Sequence, residues 1–108
     1  MSNEMLHDLV EELIKVYGDK AVSIILYGSE ARRTATPESD IDIAVIVSSD
    51  DTRCFEDSLL DAVVDLNLKY DRVFSVIDIP AENFSLWSDS LPFYKNINGD
   101  GIVLWKAA

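Results

Sequence analysis

Cysteine and histidine are almost absent from this chain of 108 residues, which has one of each, Cys54 and His7. A lone cysteine forms no internal disulfide, and one cysteine with one histidine does not make a zinc site of the usual spacing. His7 falls within a helical pattern, where we expect it to be a surface residue. These shortages argue against a disulfide scaffold, a zinc protein and an enzyme that depends on a histidine base.

Basic residues and long apolar runs are also scarce. Nine Lys and Arg stand against 20 Asp and Glu, which gives a net charge of −11. Such a surface repels nucleic acid, so we expect no stable nucleic-acid binding; a basic protein partner or a cation-bridged anion fits it, although solubility alone would also explain the charge. No apolar run approaches the roughly 20 residues that cross a bilayer, and the acidic start does not resemble a signal peptide. We therefore expect a cytoplasmic protein without membrane association.

The apolar content, 48% of residues, supports one folded domain over residues 1–108. Apolar periodicity predicts helices at 6–17, 29–36, 53–70, 81–88 and 92–97, and β-rich apolar runs predict strands at 21–28, 41–47, 72–79 and 102–105. The helix at 53–70 is inferred from apolar positions at Phe55, Leu59, Leu60, Val63, Val64 and Leu68. This order indicates an α/β or α+β fold in which helices pack on one main sheet.

The segment between the first two predicted strands contains Gly28-Ser29, then ten residues, then Asp40-Ile41-Asp42. Gly28 ends a buried strand, where the lack of a side chain allows a ligand to approach closely. Ser29 begins a helix, whose free backbone N–H groups favour phosphate, and its hydroxyl can add a hydrogen bond. Gly28 and Ser29 are therefore candidate nucleotide-binding residues.

Asp40 and Asp42 are two positions apart at the start of a strand, so their side chains are expected on the same face. Two neighbouring carboxylates repel each other unless a cation lies between them, and Mg²⁺ prefers one or two carboxylates together with substrate phosphates. Each part alone, a Gly-Ser turn or a solvent-facing Asp pair, is common. Together, each after or within a buried strand, they predict a site for a metal and a nucleotide.

These residues resemble the polymerase-β-type nucleotidyltransferases, and most closely the minimal nucleotidyltransferases (MNT) that act as antitoxins to HEPN toxins. The resemblance rests on GSEARR, SDIDIAV and the tail PFYKNINGDGI and extends over almost the whole chain. It implies a nucleotidyltransferase-like mixed sheet packed against helices. It also implies that Gly28 and Ser29 hold the phosphates of ATP and that Asp40 and Asp42 are catalytic and bind Mg²⁺.

The chain departs from the family pattern at two places. Arg33 stands where the family often has glycine. Active members carry a third carboxylate on a later strand, at a position that we place near Ser75; Asp78 is three residues further on and is expected on the opposite face. Asp71 shares the face of Ser75 but is expected in the preceding turn. Whether the third carboxylate is Asp78 or is replaced by Ser75 stays open at this point.

Two functions follow from the resemblance. The first is transfer of AMP from ATP to a hydroxyl of a partner protein, with a HEPN ribonuclease toxin as the partner. The alternative is an MNT-fold binding module with weak or no activity, which neutralises its partner by contact. The missing carboxylate and Arg33 favour the alternative, and the sequence leaves the oligomeric state open.

Overall fold

The helices and strands follow the predicted order. The structure is a computed structural model that describes residues 3–31 and 40–107, apart from the side chains of Ser29, Glu30 and Phe93. Within those residues the α-helices are α1 Asn3–Tyr17, α2 Gly28–Ala31, α3 Glu56–Tyr70, α4 Ala81–Trp87 and α5 Pro92–Asp100. The strands are β1 Ala21–Tyr27, β2 Ile41–Val47, β3 Phe74–Pro80 and β4 Ile102–Lys106.

The described strands form one mixed sheet in the order β3-β2-β1-β4. β1 lies between β2 and β4 and pairs antiparallel with both, whereas β2 and β3 are parallel. A parallel pair requires a crossover connection, which α3 supplies between these two strands. The crossover places the beginnings of β2 and β3 side by side at one end of the sheet.

Alternation along β2 divides the core into two layers. Ile41, Ile43, Val45 and Val47 belong to the cluster that includes Leu9 and Leu13 of α1 and Leu66 of α3. On the other face, the buried cluster consists of Ile25, Ala44, Ile46, Ile79 and Ile97. Asp42 alternates with Ala44 and Ile46, so its carboxylate belongs to this second face. The predicted division of the strand is confirmed.

The prediction of a long helix before β3 is also confirmed, but the inferred apolar face is wrong in part. The buried residues of α3 are Ala62 and Leu66. Leu59 and Val63 are partly buried against the core, whereas Leu60, Val64 and Leu68 are 63%, 44% and 79% exposed. The helix is apolar on two sides, and periodicity alone does not say which side meets the sheet.

Several predicted boundaries also shift, and two of these shifts have a local cause. α5 continues past 97 to Asp100, because Gly101 rather than Gly99 ends it: the Gly101 N–H donates to the Ile97 carbonyl at 3.0 Å. β3 begins at Phe74 rather than at 72, because Asp71 closes α3 in the left-handed conformation, with φ 51°. Pro80 forms the last position of β3, where a missing N–H is tolerated because the strand is at the edge of the described sheet.

Candidate active site

Gly28 and Asp42 are in direct contact at the end of β1. Tyr27, the last residue of β1, pairs with Asp42, and Gly28 turns the chain into α2 with φ 73°. A Cβ on Gly28 would lie 2.4 Å from Asp42 Oδ2 and 3.2 Å from its Cγ. Both the positive φ and the close approach therefore require glycine here. The predicted closeness of the Gly-Ser turn and the second aspartate is present in the structure.

The two aspartates occupy different environments. Asp42 is the second residue of β2 and is half-buried, with its carboxylate against the backbone of Gly28. Asp40 directly precedes β2 and is exposed. One half-buried and one accessible carboxylate beside a side-chain-free backbone suit a hard cation that also binds phosphate oxygens. The donor set therefore fits Mg²⁺.

Tyr27 belongs to this site, although sequence reasoning did not select it. It is half-buried directly across the antiparallel pair from Asp42. Burial, and second the negative charge of Asp42, raise the pKa of the Tyr27 hydroxyl. The signal available in the sequence was its position immediately before Gly28, at the end of a strand that had to pair with the one carrying Asp42.

The register of β2 and β3 places Ser75 beside Asp42. Cα partners are Ile41 with Phe74, Asp42 with Ser75, and Val45 with Asp78. Two hydrogen bonds hold the start of β3 in place: Ile41 N–H donates to the Val73 carbonyl, and Phe74 N–H donates to Asn67 Oδ1 of α3, both at 2.8 Å. The half-buried Ser75 therefore stands next to Asp42, where the family resemblance expects a third carboxylate.

Asp78 lies on the opposite face of β3 and has a different partner. The hydroxyl of Tyr17, a buried residue of α1, donates to Asp78 Oδ2 at 2.9 Å. Asp71 is exposed at the end of α3. Among the described residues, no group of three or more His, Cys, Asp and Glu side chains is arranged to hold a metal ion. The described part of the candidate site thus has Asp42 with Ser75 beside it, and the exposed Asp40 two positions before Asp42.

The remaining predicted features divide between described and undescribed residues. Ser29 is the second residue of α2, but its side chain lies outside the described residues, as does Arg33. His7 is exposed on α1, where it lies 3.0 Å from Glu11, and Cys54 is an exposed free thiol. The prediction that His7 is a surface residue is confirmed. In the described ranges, no helix combines the length and apolar character needed to cross a membrane.

A mixed sheet with a glycine turn packed on a strand-borne aspartate is the arrangement expected of a nucleotidyltransferase fold. The family model described as polymerase beta, nucleotidyltransferase matches residues 10–107. The chain belongs to this nucleotidyltransferase family.

Similar proteins agree with this assignment. Two proposed protein adenylyltransferases of Methanocaldococcus jannaschii are 34% identical over 103 residues and 33% identical over 90 residues. The alignments cover 93% of this chain and 94% of the first relative, and 82% of this chain but only 61% of the second. A solved structure of a tri-AMPylated Shewanella oneidensis HEPN toxin in complex with an MNT antitoxin has the same fold, with a TM-score of 0.63 and 18% identity, covering 99% of this chain and 74% of that chain.

Proposed function

We propose that this chain is a cytoplasmic, single-domain protein adenylyltransferase that transfers AMP from ATP to a hydroxyl of a HEPN-type toxin and so acts as its antitoxin. The contact between Gly28 and Asp42 is the observation that carries the proposal. It places a carboxylate suited to a cation directly against the glycine turn that begins α2. The two Methanocaldococcus jannaschii relatives and the AMPylated toxin complex support the class of acceptor.

Each site residue has a role in this reaction. The acceptor oxygen bonds to the α-phosphorus, the bond from that phosphorus to the bridging oxygen breaks, and pyrophosphate leaves with the electron pair. Asp40 and Asp42 would hold Mg²⁺, which would neutralise the negative charge that develops on the phosphates. By the family resemblance, Gly28 and Ser29 would hold the phosphates, with the Ser29 hydroxyl as one hydrogen-bond donor. The acceptor proton passes to solvent, because Ser75 is a poor base.

A mass measurement tests this function. We would incubate the protein with ATP, Mg²⁺ and a HEPN-type partner from the same organism, and measure the partner's intact mass. An increase equal to one or more AMP groups is expected with the wild type and with Asp78→Asn, but not with Asp42→Ala. The same AMP adduct with Asp42→Ala as with the wild type would exclude Asp42 from the chemistry.

Ser75 favours a second candidate, an MNT-fold module that neutralises its partner by contact alone. General-base catalysis contributes about 10²–10⁴-fold in rate, and a serine beside Asp42 does not supply it. The two candidates differ in cells: contact neutralisation survives Asp42→Ala, whereas neutralisation by AMP transfer does not. If the Asp42→Ala variant protects cells from the toxin as well as the wild type does, and no AMP adduct forms, the contact module replaces the enzyme.

A further inference from the structure

The outer side of α3 carries an apolar ridge that the described part of the fold leaves exposed. Leu60, Val64 and Leu68 are spaced at i, i+4 and i+8, which aligns them along one line of the helix surface. They are 63%, 44% and 79% exposed, while the opposite side of the helix buries Ala62 and Leu66 in the core. Isolated exposed leucines are ordinary, but a continuous ridge on one helix is typical of an interaction surface.

Acidic residues border this ridge along one side and stand at both of its ends. Along one side run Asp57, Asp61 and Asp65, also at i, i+4 and i+8, and all three are exposed. Glu56, four residues before Leu60, continues the line of the ridge at its N-terminal end, and Asp71 follows the C-terminal end of the helix; both are exposed. The one basic residue of α3, Lys69, is bonded to Asp8 at 2.5 Å. The surface is therefore an apolar line within a strongly negative field.

The apolar ridge and its acidic border together determine which kind of partner can bind there. RNA and anionic lipid surfaces are repelled by the acidic border. A second copy that packed antiparallel through the same ridge would place acidic border against acidic border, because a twofold axis relates identical patches. A basic amphipathic helix has neither problem: its apolar residues cover the ridge while its lysines and arginines face the acids.

We propose that the outer ridge of α3 docks a basic amphipathic helix of a protein partner. Only the partner's identity as the AMP acceptor rests on the proposed function; the docking itself uses neither nucleotide nor metal. The location suits an acceptor, because α3 leads directly into β3 and its C-terminal end lies at the end of the sheet that carries Asp42 and Ser75.

The probe is a labelled synthetic helix with leucines aligned along one face and lysines on both sides, compared by fluorescence anisotropy with a peptide of the same composition in scrambled order. The wild type is expected to bind the ordered helix about tenfold more tightly than the scrambled one, in the range expected for a few buried anchor residues. The double variant Leu60→Ser/Leu68→Ser should lose that preference.

A matched control distinguishes binding at the ridge from nonspecific binding to exposed apolar side chains. Leu86 of α4 is 63% exposed, the same as Leu60, so Leu86→Ser removes an equally accessible leucine elsewhere and should keep the preference. Equal binding of the two peptides by the wild type, or an equal loss in Leu86→Ser, would overturn the proposal. So would a dimer in sedimentation that Leu60→Ser/Leu68→Ser converts to a monomer, because the ridge would then be filled by a second copy.

A second pair of variants, which change the net charge equally, tests the acidic border. Asp57→Asn/Asp61→Asn/Asp65→Asn should weaken binding of the ordered helix severalfold and flatten its salt dependence. Glu82→Gln/Asp89→Asn/Asp100→Asn removes three exposed acids outside α3 and should weaken it much less. Equal effects of the two triple variants would mean attraction by net charge alone and would overturn the proposed surface. Because no ATP is present, these results stand or fall independently of AMP transfer.

Discussion

Gly28 has no Cβ, and the Asp42 carboxylate occupies the space that a Cβ would fill. Gly18 provides a comparison, because it also has a positive φ, 58°, but a Cβ there would meet nothing within 4 Å. Substitutions at the two glycines therefore distinguish the cost of the left-handed backbone, present at both, from the cost of the contact with Asp42, present only at Gly28. Gly18 ends α1, and only Gly28 combines the left-handed conformation with a site residue as its neighbour.

We expect Gly18→Ala to reduce the free energy of unfolding by about 1 kcal/mol, the cost of the left-handed conformation. Gly28→Ala should cost clearly more, because the added Cβ also displaces Asp42, and it should abolish AMP transfer. Urea denaturation measures both stabilities. In an Asp42→Ala background the extra cost of Gly28→Ala should fall towards that of Gly18→Ala. Additive costs in the double variant would contradict the contact.

Tyr17 gives a prediction for alkaline pH. Burial first, and then its hydrogen bond to Asp78, raise the pKa of the Tyr17 hydroxyl. In the unfolded chain tyrosine titrates near pH 10, so this contribution to stability is complete below about pH 10 and is lost as the pH rises above it. Tyr17→Phe should cost about 1–2 kcal/mol at neutral pH, because Asp78 loses its partner. Between pH 10 and pH 12 the variant should lose stability less steeply than the wild type; parallel curves from urea denaturation would contradict this.

At the scale of elements, the parallel register of β2 and β3 decides which side chains can act together. Asp42 and Ser75 are neighbours on one face, while Asp78 faces α1. Ser75→Asp should therefore raise AMP transfer, by up to the ~10²-fold lower range of general-base catalysis, at some cost in stability from like-charge repulsion. The rate is measured as AMP incorporated into the partner. Asp78→Asn is the control and should leave the rate unchanged; loss of transfer in Asp78→Asn with no gain in Ser75→Asp would reverse this assignment.

Much of this arrangement could be predicted from the sequence, because the decisive signals are local. The strand at 41–47 is apolar except for Asp42 and is bounded by polar residues, and its period of two already separated Asp42 from Ile41 and Ile43. The same period predicted that Ser75 and Asp78 face opposite sides. The order of strands across the sheet, the contact of Tyr27 with the site and the exposed ridge of α3 depend on tertiary packing, which one sequence does not reveal.

At the scale of the whole molecule, a net charge of −11 opposes the binding of a free triphosphate. We expect ATP to bind measurably with Mg²⁺ or Mn²⁺ and much more weakly in EDTA. Calorimetry with and without the cation measures this difference. The Asp42→Asn variant should lose most of the increase in ATP affinity that the cation causes, and the Asp78→Asn variant should keep that increase. Equal affinity for ATP in EDTA and in Mg²⁺ would exclude the metal site.

The position of β4 in the sheet has a consequence for how the chain is made. β1 is an early strand and lies in the interior of the sheet, but one of its two neighbours, β4, comes from residues 102–106. During synthesis β1 can pair with β2 early, while its other edge stays without its native neighbour until residues 102–106 have been translated. Loop closure over such a separation is slow, and an open apolar strand edge is prone to aggregation. Ribosome-bound chains that stop before residue 102 should therefore be the species that most need a chaperone.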